Sequence, residues 1–158
     1  MQTDKQGQAH GRAGEYLWLL LWFPVHAALM YLLMFAMIDT AEDFWNNLNM
    51  AWMAILMAAP MTGLMVLSMP SMYPDRAKTA AVLALSLAIG LAAWLAIREQ
   101  WAIGDRQFLR SMIPHHSGAI LMCEKARLTD PAIRSLCEEI IAGQRAEIVE
   151  MRRLLGER

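Results

Sequence analysis

Residues 112–122 read Met-Ile-Pro-His-His-Ser-Gly-Ala-Ile-Leu-Met, a stretch that sets two imidazoles and two thioethers at helical spacings. Side chains three or four positions apart lie next to each other on a helix. Pro114 removes a backbone donor and frees the carbonyl of Arg110, which predicts a bend where the histidines begin. The stretch therefore predicts one helical wall of a metal site.

The sequence around this stretch predicts a helical hairpin. Gly104-Asp105 indicates a break followed by an N-cap, and an apolar stripe continues to about Leu128. Thr129-Asp130-Pro131 caps a second helix that runs to about Leu155, and so short a link implies antiparallel helices. The predicted core stripes are Phe108, Leu109, Met112, Ala119, Met122 and Ala126 in the first helix, and Ile133, Cys137, Ile140, Gln144, Glu147, Met151 and Leu154 in the second.

Folding the hairpin at Asp130 predicts which residues lie level with each other. His116 comes level with Gln144, and Met112 with Ile148. Burying Gln144 and Glu147 without partners would cost several kcal/mol. Polar residues at one level of both predicted core faces therefore favour a binding site over a generic core.

Cys123 and Cys137 are level in the same register, and three interpretations stay open. A disulfide across the hairpin fits, because level positions can approach the required Cα separation of about 5 to 6 Å. Two buried thiols fit equally well. A metal role is the least favoured, because both cysteines lie about one to two helical turns from His116.

The first hundred residues hold three apolar runs, at 16–38, 48–69 and 79–97. Each has about the 20 residues needed to cross about 30 Å of hydrocarbon. The sequence thus predicts an all-α chain of three parts: a flexible N-terminal tail (1–15), a three-helix transmembrane anchor (16–97) and an extramembrane hairpin that binds metal (98–158).

The charges between the runs predict an orientation. Residues 39–47 carry three acids and no base, whereas residues 70–78 carry Arg76 and Lys78. Because positively charged loops stay in the cytoplasm, the second loop and the N-terminus are expected inside and the hairpin outside. In a Gram-negative cell this places the hairpin in the periplasm, on the cytoplasmic (inner) membrane.

Methionines recur every four residues within the runs. A track for Cu(I) is one interpretation, and flexible filling of helix interfaces is the favoured one. His26 is a polar group within a span, where such groups are often functional, yet a hydrogen bond to a neighbouring helix would also satisfy it. The residues concerned are His26, Met30 and Met34 in the first run and Met53, Met57, Met61, Met65 and Met69 in the second.

The residue types of the hairpin predict the metal. Imidazole and thioether without a carboxylate cluster favour Cu(I), with Ag(I) as a surrogate. Zinc would need Glu147 and the cysteines, and a di-iron bundle would need paired Glu-x-x-His motifs that the sequence lacks. The predicted metal ligands are Met112, His115, His116, Met122, Glu147 and Met151.

The pattern Phe108-x3-Met112-x2-His115-His116-x2-Ala119-x2-Met122, followed by Gln144-x2-Glu147-Ile148-x2-Met151, resembles the bacterial family called domain of unknown function 305 (DUF305). That family includes CopM-like periplasmic copper-binding proteins. The resemblance covers about residues 100–155, and more loosely the anchor. It implies a ferritin-like helical bundle that binds Cu(I), Cu(II) or Ag(I), with Met112, His115, His116, Met122 and Met151 at the motif positions.

The chain departs from that family pattern in two ways. Many relatives have alanine in place of Cys123 and tryptophan in place of Leu154, so local packing is expected to differ. Larger relatives contain the motif twice, whereas this chain contains it once. A single hairpin is half of a four-helix core, which predicts that two chains pair as a homodimer.

Together these patterns predict a membrane-anchored copper-binding protein of copper handling or resistance, not an enzyme, with the lipid bilayer and a copper-handling protein as partners. A net charge of −1 gives no reason to expect nucleic acid. The alternative is a membrane interaction or dimerisation module with structural histidines and no physiological metal. A metalloenzyme is the weakest interpretation, because Glu147 is its only candidate acid or base.

Overall fold

The computed structural model describes residues 3–156, with side chains from residue 14 onward. These residues form five α-helices and two short 3₁₀ turns, and no strand occurs among them. The predicted all-α class is confirmed. The helices are α1 (Thr3–Met34), α2 (Leu48–Ser68), α3 (Arg76–Arg98), α4 (Asp105–Lys125) and α5 (Pro131–Leu154).

The chain divides into two compact units. The membrane unit contains the chain up to Leu32 together with Ala51–Trp101. The hairpin unit contains Leu33–Met50 together with the chain from Ala102 onward. Part of the segment that the sequence assigns to the anchor therefore belongs to the same unit as α4 and α5.

Three helical segments are long and apolar enough to cross a membrane. They are Gly14–Met37, Leu48–Ser68 and Arg76–Arg98, with mean hydropathies of 1.9, 1.8 and 2.4. The three predicted apolar runs coincide with them to within a few residues. α1 also extends back to Thr3, through most of the segment for which the sequence predicts a flexible tail.

An apolar cluster joins the three helices of the membrane unit; its residues are Tyr16, Leu19, Val66, Tyr73 and Val82. The Tyr16 hydroxyl donates a hydrogen bond to the backbone carbonyl of Asp75 at 3.1 Å. At Gly63 a Cβ atom would lie 3.4 Å from Leu83, an ordinary contact distance, so α3 packs directly against α2 at this position. The outward side chains are mainly large and apolar.

The core of the hairpin unit consists of Ile113, Ile120, Ile148 and Met151. The predicted core stripes are partly wrong, because Phe108, Met122, Ile133 and Leu154 are exposed. A third layer accounts for the buried face that the sequence did not predict: the segment 35–47 packs against α4, so this helix also buries Ser117 and Gly118. An isolated hairpin would bury only one face.

The ends of α5 agree with the sequence. The Asp130 carboxylate accepts hydrogen bonds from the N–H groups of Ala132 and Ile133, and Pro131 occupies the first turn. α4 ends at Lys125, a few residues before the predicted end. Pro114 lies inside α4, next to His115.

Candidate metal centre

His116 is the most constrained of the predicted metal ligands. It is buried, with only 8% of its surface exposed, and both of its ring nitrogens contact the protein. Nδ1–H donates to the backbone carbonyl of Met112 at 2.8 Å, one helical turn earlier. Nε2 lies 2.7 Å from Glu147 Oε2 on α5. His116 therefore links the two helices of the hairpin.

The two partners of His116 give its ring nitrogens different roles. A carbonyl oxygen only accepts hydrogen bonds, so Nδ1 carries the hydrogen of the bond to Met112. Nε2 is the nitrogen that faces Glu147. A metal at Nε2 needs the lone pair of that nitrogen, so metal binding there requires the contact between Nε2 and Glu147 to break.

His115 lies on the outside of α4, next to His116. Its side chain is exposed, and the two imidazole rings have centroids 6.0 Å apart with an interplanar angle of 66°. Glu147 is also largely exposed, since 60% of its side-chain surface is accessible. The structure thus pairs His116 with Glu147 and leaves His115 exposed beside His116, without bringing the three groups together.

The three predicted thioether ligands are in two different environments. Met151 belongs to the buried core, and Met112 packs against that core. Met122 is 54% exposed and lies seven residues, or about 10 Å along the helix, beyond His115. Met122 is therefore on the surface of α4, whereas Met112 and Met151 face the core of the hairpin unit.

The predicted polar pair on α5 is only half buried. Gln144 Oε1 is buried without a hydrogen-bond partner among the residues described, whereas Glu147 is exposed and pairs with His116. The sequence places Gln144 level with His116, yet Glu147 makes the contact. Helical side chains lean towards the N-terminus, so His116 reaches a higher-numbered position on the antiparallel α5.

Cys123 and Cys137 form a disulfide between α4 and α5, with their Cα atoms 5.4 Å apart. The register predicted by folding at Asp130 is correct at this level. The disulfide interpretation holds in the structure, and the interpretation with two free thiols does not. Neither sulfur is a thiolate here, so the disulfide also removes both cysteines as metal ligands.

Among the described side chains, from residue 14 to residue 156, no three His, Cys, Asp or Glu groups converge in the way that a metal site needs. The donor that contacts His116 is the carboxylate of Glu147, whereas the thioethers of Met112 and Met151 belong to or pack against the core. Imidazole and thioether groups on the same two helices fit Cu(I) or Ag(I) by residue type. One chain does not bring them together into a complete set of ligands.

The Asp43 carboxylate, which the sequence did not predict as a structural group, is buried against the face of α4 that carries Ser117. Asp43 accepts a hydrogen bond from Ser117 Oγ at 2.6 Å and one from Arg152 Nη2 at 2.7 Å. Ser117 Oγ in turn accepts from the backbone N–H of Asp39 at 2.7 Å. This Asp43 network ties the segment between α1 and α2 to both helices of the hairpin.

A sequence signal for this network was present. Ser117 and Gly118 are two small residues inside an otherwise bulky helix. At Gly118 a Cβ atom would lie 3.3 Å from the backbone oxygen of Met37, a tight contact, so a larger residue here would require the segment to move by a few tenths of an ångström. Small residues next to His116 thus indicated a neighbouring chain segment.

Residues 92–155 match the protein family described as "Domain of unknown function (DUF305)". An uncharacterized protein of Acanthamoeba polyphaga mimivirus is 38% identical over 122 residues, which cover 76% of this chain and 78% of the relative. The chain belongs to the DUF305 family. The family that the histidine motif predicted is thus confirmed.

The DUF305 match spans the end of α3, α4 and α5. The alignment with the mimivirus protein is longer than the DUF305 match, so the similarity extends into the membrane unit. No solved structure matches the chain.

Proposed function

We propose that this DUF305 protein is a membrane-anchored copper-binding protein that takes up Cu(I), with Ag(I) as a surrogate, for copper handling or resistance. The observation that carries the proposal is the pair of adjacent imidazoles, one buried and oriented, the other exposed. Three methionines on the same two helices, Met112, Met122 and Met151, supply candidate thioether ligands. The proposed ligand set is Met112, His115, His116, Met122, Glu147 and Met151.

The orientation of His116 supports this role. Metal-bound histidines commonly donate their second ring N–H to a backbone carbonyl, which fixes the ring and raises its basicity. The bond from His116 Nδ1 to Met112 already has that form. Copper would then bind His116 Nε2 in place of its contact with Glu147, and the exposed Glu147 carboxylate would turn to become a ligand of the ion.

A second chain would complete the site. Phe108, His115 and Met122 form an exposed stripe on α4 with a spacing of seven residues. On α5 the same spacing relates Ile133, Ile140, Glu147 and Leu154, and all but the partly buried Ile140 are exposed. Heptad-spaced stripes of this kind pair helices with one another. We propose that two hairpins form a ferritin-like four-helix bundle, with the ligands in its interior.

The hairpin unit also supports the predicted topology. Its two pieces, Leu33–Met50 and the chain from Ala102, are separated in sequence by α2 and α3. An even number of spans between them places both pieces on one side of a membrane. Arg76 and Lys78 lie in or beside the connection on the other side, which favours a cytoplasmic connection and a periplasmic hairpin.

The disulfide supports the same placement, because such bonds persist in oxidising compartments such as the bacterial periplasm. The proposed location is thus the bacterial cytoplasmic (inner) membrane. A copper store or metallochaperone that passes the ion to a copper-handling protein suits this location. The proposal assigns the protein binding and transfer of the ion, and no catalysis.

The test uses the full chain in detergent micelles, titrated with Cu(I) in competition with a Cu(I) chelator. Replacing both histidines, His115→Ala with His116→Ala, is expected to weaken binding at the hairpin at least about tenfold. Val149→Ala, at an exposed position on α5, serves as the matched control and should bind normally. If the double variant and the control bind Cu(I) with equal affinity, His115 and His116 are not ligands of the ion.

A second candidate function is a dimerisation module in which His116 is structural. The observation that favours it is that both nitrogens of His116 already have protein partners. This candidate predicts equal melting temperatures with and without Cu(I). A rise with Cu(I) and not with Zn²⁺ would favour the copper protein, because a ligand stabilises only the state that it binds.

A further inference from the structure

The hairpin has a pocket near its link, and the disulfide forms part of the pocket wall. The pocket has a volume of about 460 Å³, and both Cys123 and Cys137 line it. Both cysteines are half-buried, not enclosed in the core. Pockets that bind small molecules have volumes of about 300 to 1,000 Å³. The disulfide therefore lies where a small molecule can reach it. The other lining residues are Ala126, Arg127, Leu128, Arg134, Glu138 and Ile141.

The link between α4 and α5, which closes one end of the pocket, is held in place by hydrogen bonds. Arg134 Nε donates to the backbone carbonyl of Leu128 at 2.9 Å. The Asp130 carboxylate accepts from the first N–H groups of α5. Because these contacts order the link, the pocket belongs to the folded hairpin and does not need local unfolding to form.

The pocket contains more positive than negative charge. Arg127 and Arg134 contribute two guanidinium groups, whereas Glu138 contributes one carboxylate. Among the side chains described, from residue 14 to residue 156, neither arginine forms an ion pair. Unpaired charge attracts ions of the opposite sign and raises their local concentration. The pocket therefore favours an anionic molecule over a cationic one.

The two sulfurs of the disulfide are in different electrostatic positions. Cys123 is in the last turn of α4, which ends at Lys125, and the free carbonyl groups there disfavour negative charge. Cys137 is far from the C-terminal end of α5 and lies one turn after Arg134. When a disulfide is attacked, the sulfur that carries negative charge more easily leaves faster. Cys137 is therefore the better leaving group, and Cys123 is the sulfur that is attacked.

We infer that this pocket is a site of thiol–disulfide exchange, at which a small thiol that carries carboxylates forms a mixed disulfide with Cys123. The thiolate sulfur of the small molecule bonds to Cys123 Sγ, the bond between Cys123 and Cys137 breaks, and Cys137 leaves as a thiolate. One S–S bond replaces another, so the step needs no further oxidant or reductant. Attack of the Cys137 thiolate on the mixed disulfide reverses the step and releases the small thiol.

The exchange changes the hairpin itself. It opens the covalent link between α4 and α5, which joins residues 14 positions apart. The unfolded chain then gains entropy, so the modified hairpin is less stable. The site shares no residue with the proposed metal ligands and is therefore independent of copper binding.

The test uses the full, metal-free chain in detergent micelles and three thiols: glutathione (anionic), 2-mercaptoethanol (neutral) and cysteamine (cationic). N-ethylmaleimide stops the reaction, and mass spectrometry of peptides then locates each group. Glutathione is expected on Cys123 and maleimide on Cys137. Each rate constant per thiolate is divided by that for an uncharged small disulfide, which removes the intrinsic reactivity of the thiol. The resulting value should be highest for glutathione and lowest for cysteamine, and high salt should reduce the difference.

Variants of the charged residues test the role of the pocket. Arg127→Gln and Arg134→Gln should each lower the ratio of the glutathione rate constant to the 2-mercaptoethanol rate constant by about threefold, and Glu138→Gln should raise it. Arg153→Gln removes the same charge about 24 Å beyond Cys137 along α5 and is the matched control. The ratio is the readout, because a loss of packing changes the rates of both thiols alike.

Thermal unfolding of every variant checks that the hairpin remains folded. A rate that does not rise with glutathione concentration would overturn the assignment, because opening of the hairpin would then limit the reaction. Folded Arg127→Gln and Arg134→Gln variants with the same ratio as Arg153→Gln would also overturn it. So would glutathione found on Cys137 and not on Cys123.

Discussion

The membrane unit and the hairpin unit bury different kinds of side chain. The membrane unit buries small residues such as Ala58 and Ala59 and exposes leucines and tryptophans. The hairpin unit buries Asp43, Ser117 and His116 among its isoleucines. In lipid, association depends on close packing of small residues, whereas in water a buried polar network that is fully paired also specifies the fold.

This difference has a consequence for stability. A change that unpairs a polar group should affect the hairpin unit strongly and leave the membrane unit nearly unchanged. Measuring each unit separately in one chain, by amide hydrogen exchange in micelles, gives a direct comparison. We expect the effect on stability to decrease from the disulfide through Asp43 and the two histidines to Asp75.

Removing the disulfide should have the largest effect. Replacing both cysteines, Cys123→Ser with Cys137→Ser, frees the loop between residues 14 positions apart. We expect the free energy of unfolding of the hairpin unit to fall by about 3 kcal/mol, because the unfolded chain gains entropy. Exchange in α2 and α3 should not change. Adding a reductant to the natural chain should reproduce the effect. If the amides of α4 are equally protected from exchange in the natural chain and in the double serine variant, the prediction is wrong.

Asp43→Ala should come next. It leaves Ser117 and Arg152 without their carboxylate, at an expected cost of about 2 kcal/mol, since Arg152 can still hydrate partly. Glu42→Ala is the matched control: Glu42 pairs with the same arginine at 3.4 Å, but its side chain is 81% exposed. We expect a change below about 0.5 kcal/mol there. Equal effects of the two substitutions would argue against a network built on burial.

The two histidines should differ in the metal-free protein. His116→Ala removes the contacts with Met112 and Glu147 and should destabilise the hairpin unit by about 1 kcal/mol. His115→Ala removes an exposed ring and should change stability little. Both variants should nevertheless weaken Cu(I) binding. If the two variants are equally stable without metal, the protein does not hold His116 in place more firmly than the exposed His115.

The smallest effect is expected in the membrane unit, at the start of α3. The Asp75 carboxylate accepts hydrogen bonds from the backbone N–H groups of Lys78 and Ala77, and the bond from Lys78 is the main cause that lowers the pKa of Asp75. Because the folded-state pKa is lowered, the stabilisation is complete above the ordinary carboxyl pKa and is lost as the pH falls through the lowered pKa.

Exchange of the Ala77 and Lys78 amides should therefore accelerate, relative to the rest of α3, only in acid. Asp75→Asn keeps an acceptor at the N-cap and should remove this pH dependence. If the acid effect persists in Asp75→Asn, another group is responsible.

The features that the sequence predicted correctly depend on local patterns. Hydropathy over about 20 residues identifies each span, and Asp130 with Pro131 identifies the start of α5. The level placement of Cys123 and Cys137 follows from the same local information, because a short link fixes the register of the two helices near it. Their disulfide was one of three interpretations that the sequence left open. The contact of His116 with Glu147 instead of Gln144 depends on side-chain direction, which residue spacing alone does not include.

The Asp43 network depends on information that spacing does not contain. Asp43 and Ser117 are 74 positions apart, with α2 and α3 between them. The acids of residues 39–47 were interpreted only as indicators of orientation, so their pairing with α4 and α5 was missed. The buried face around Ser117 was missed for the same reason: a hairpin considered alone leaves Ser117 outside, and the added segment buries it.

The division of the hairpin unit into two pieces of sequence gives the proposed topology a consequence for biogenesis. Leu33–Met50 is synthesised first, and α4 follows only after α2 and α3. If α2 and α3 both cross the bilayer, in opposite directions, α4 reaches the side on which Asp43 lies. In that topology, a protein that lacked one of these two spans would carry the two pieces on opposite faces of the membrane, and α4 would lose its contact with the segment 35–47.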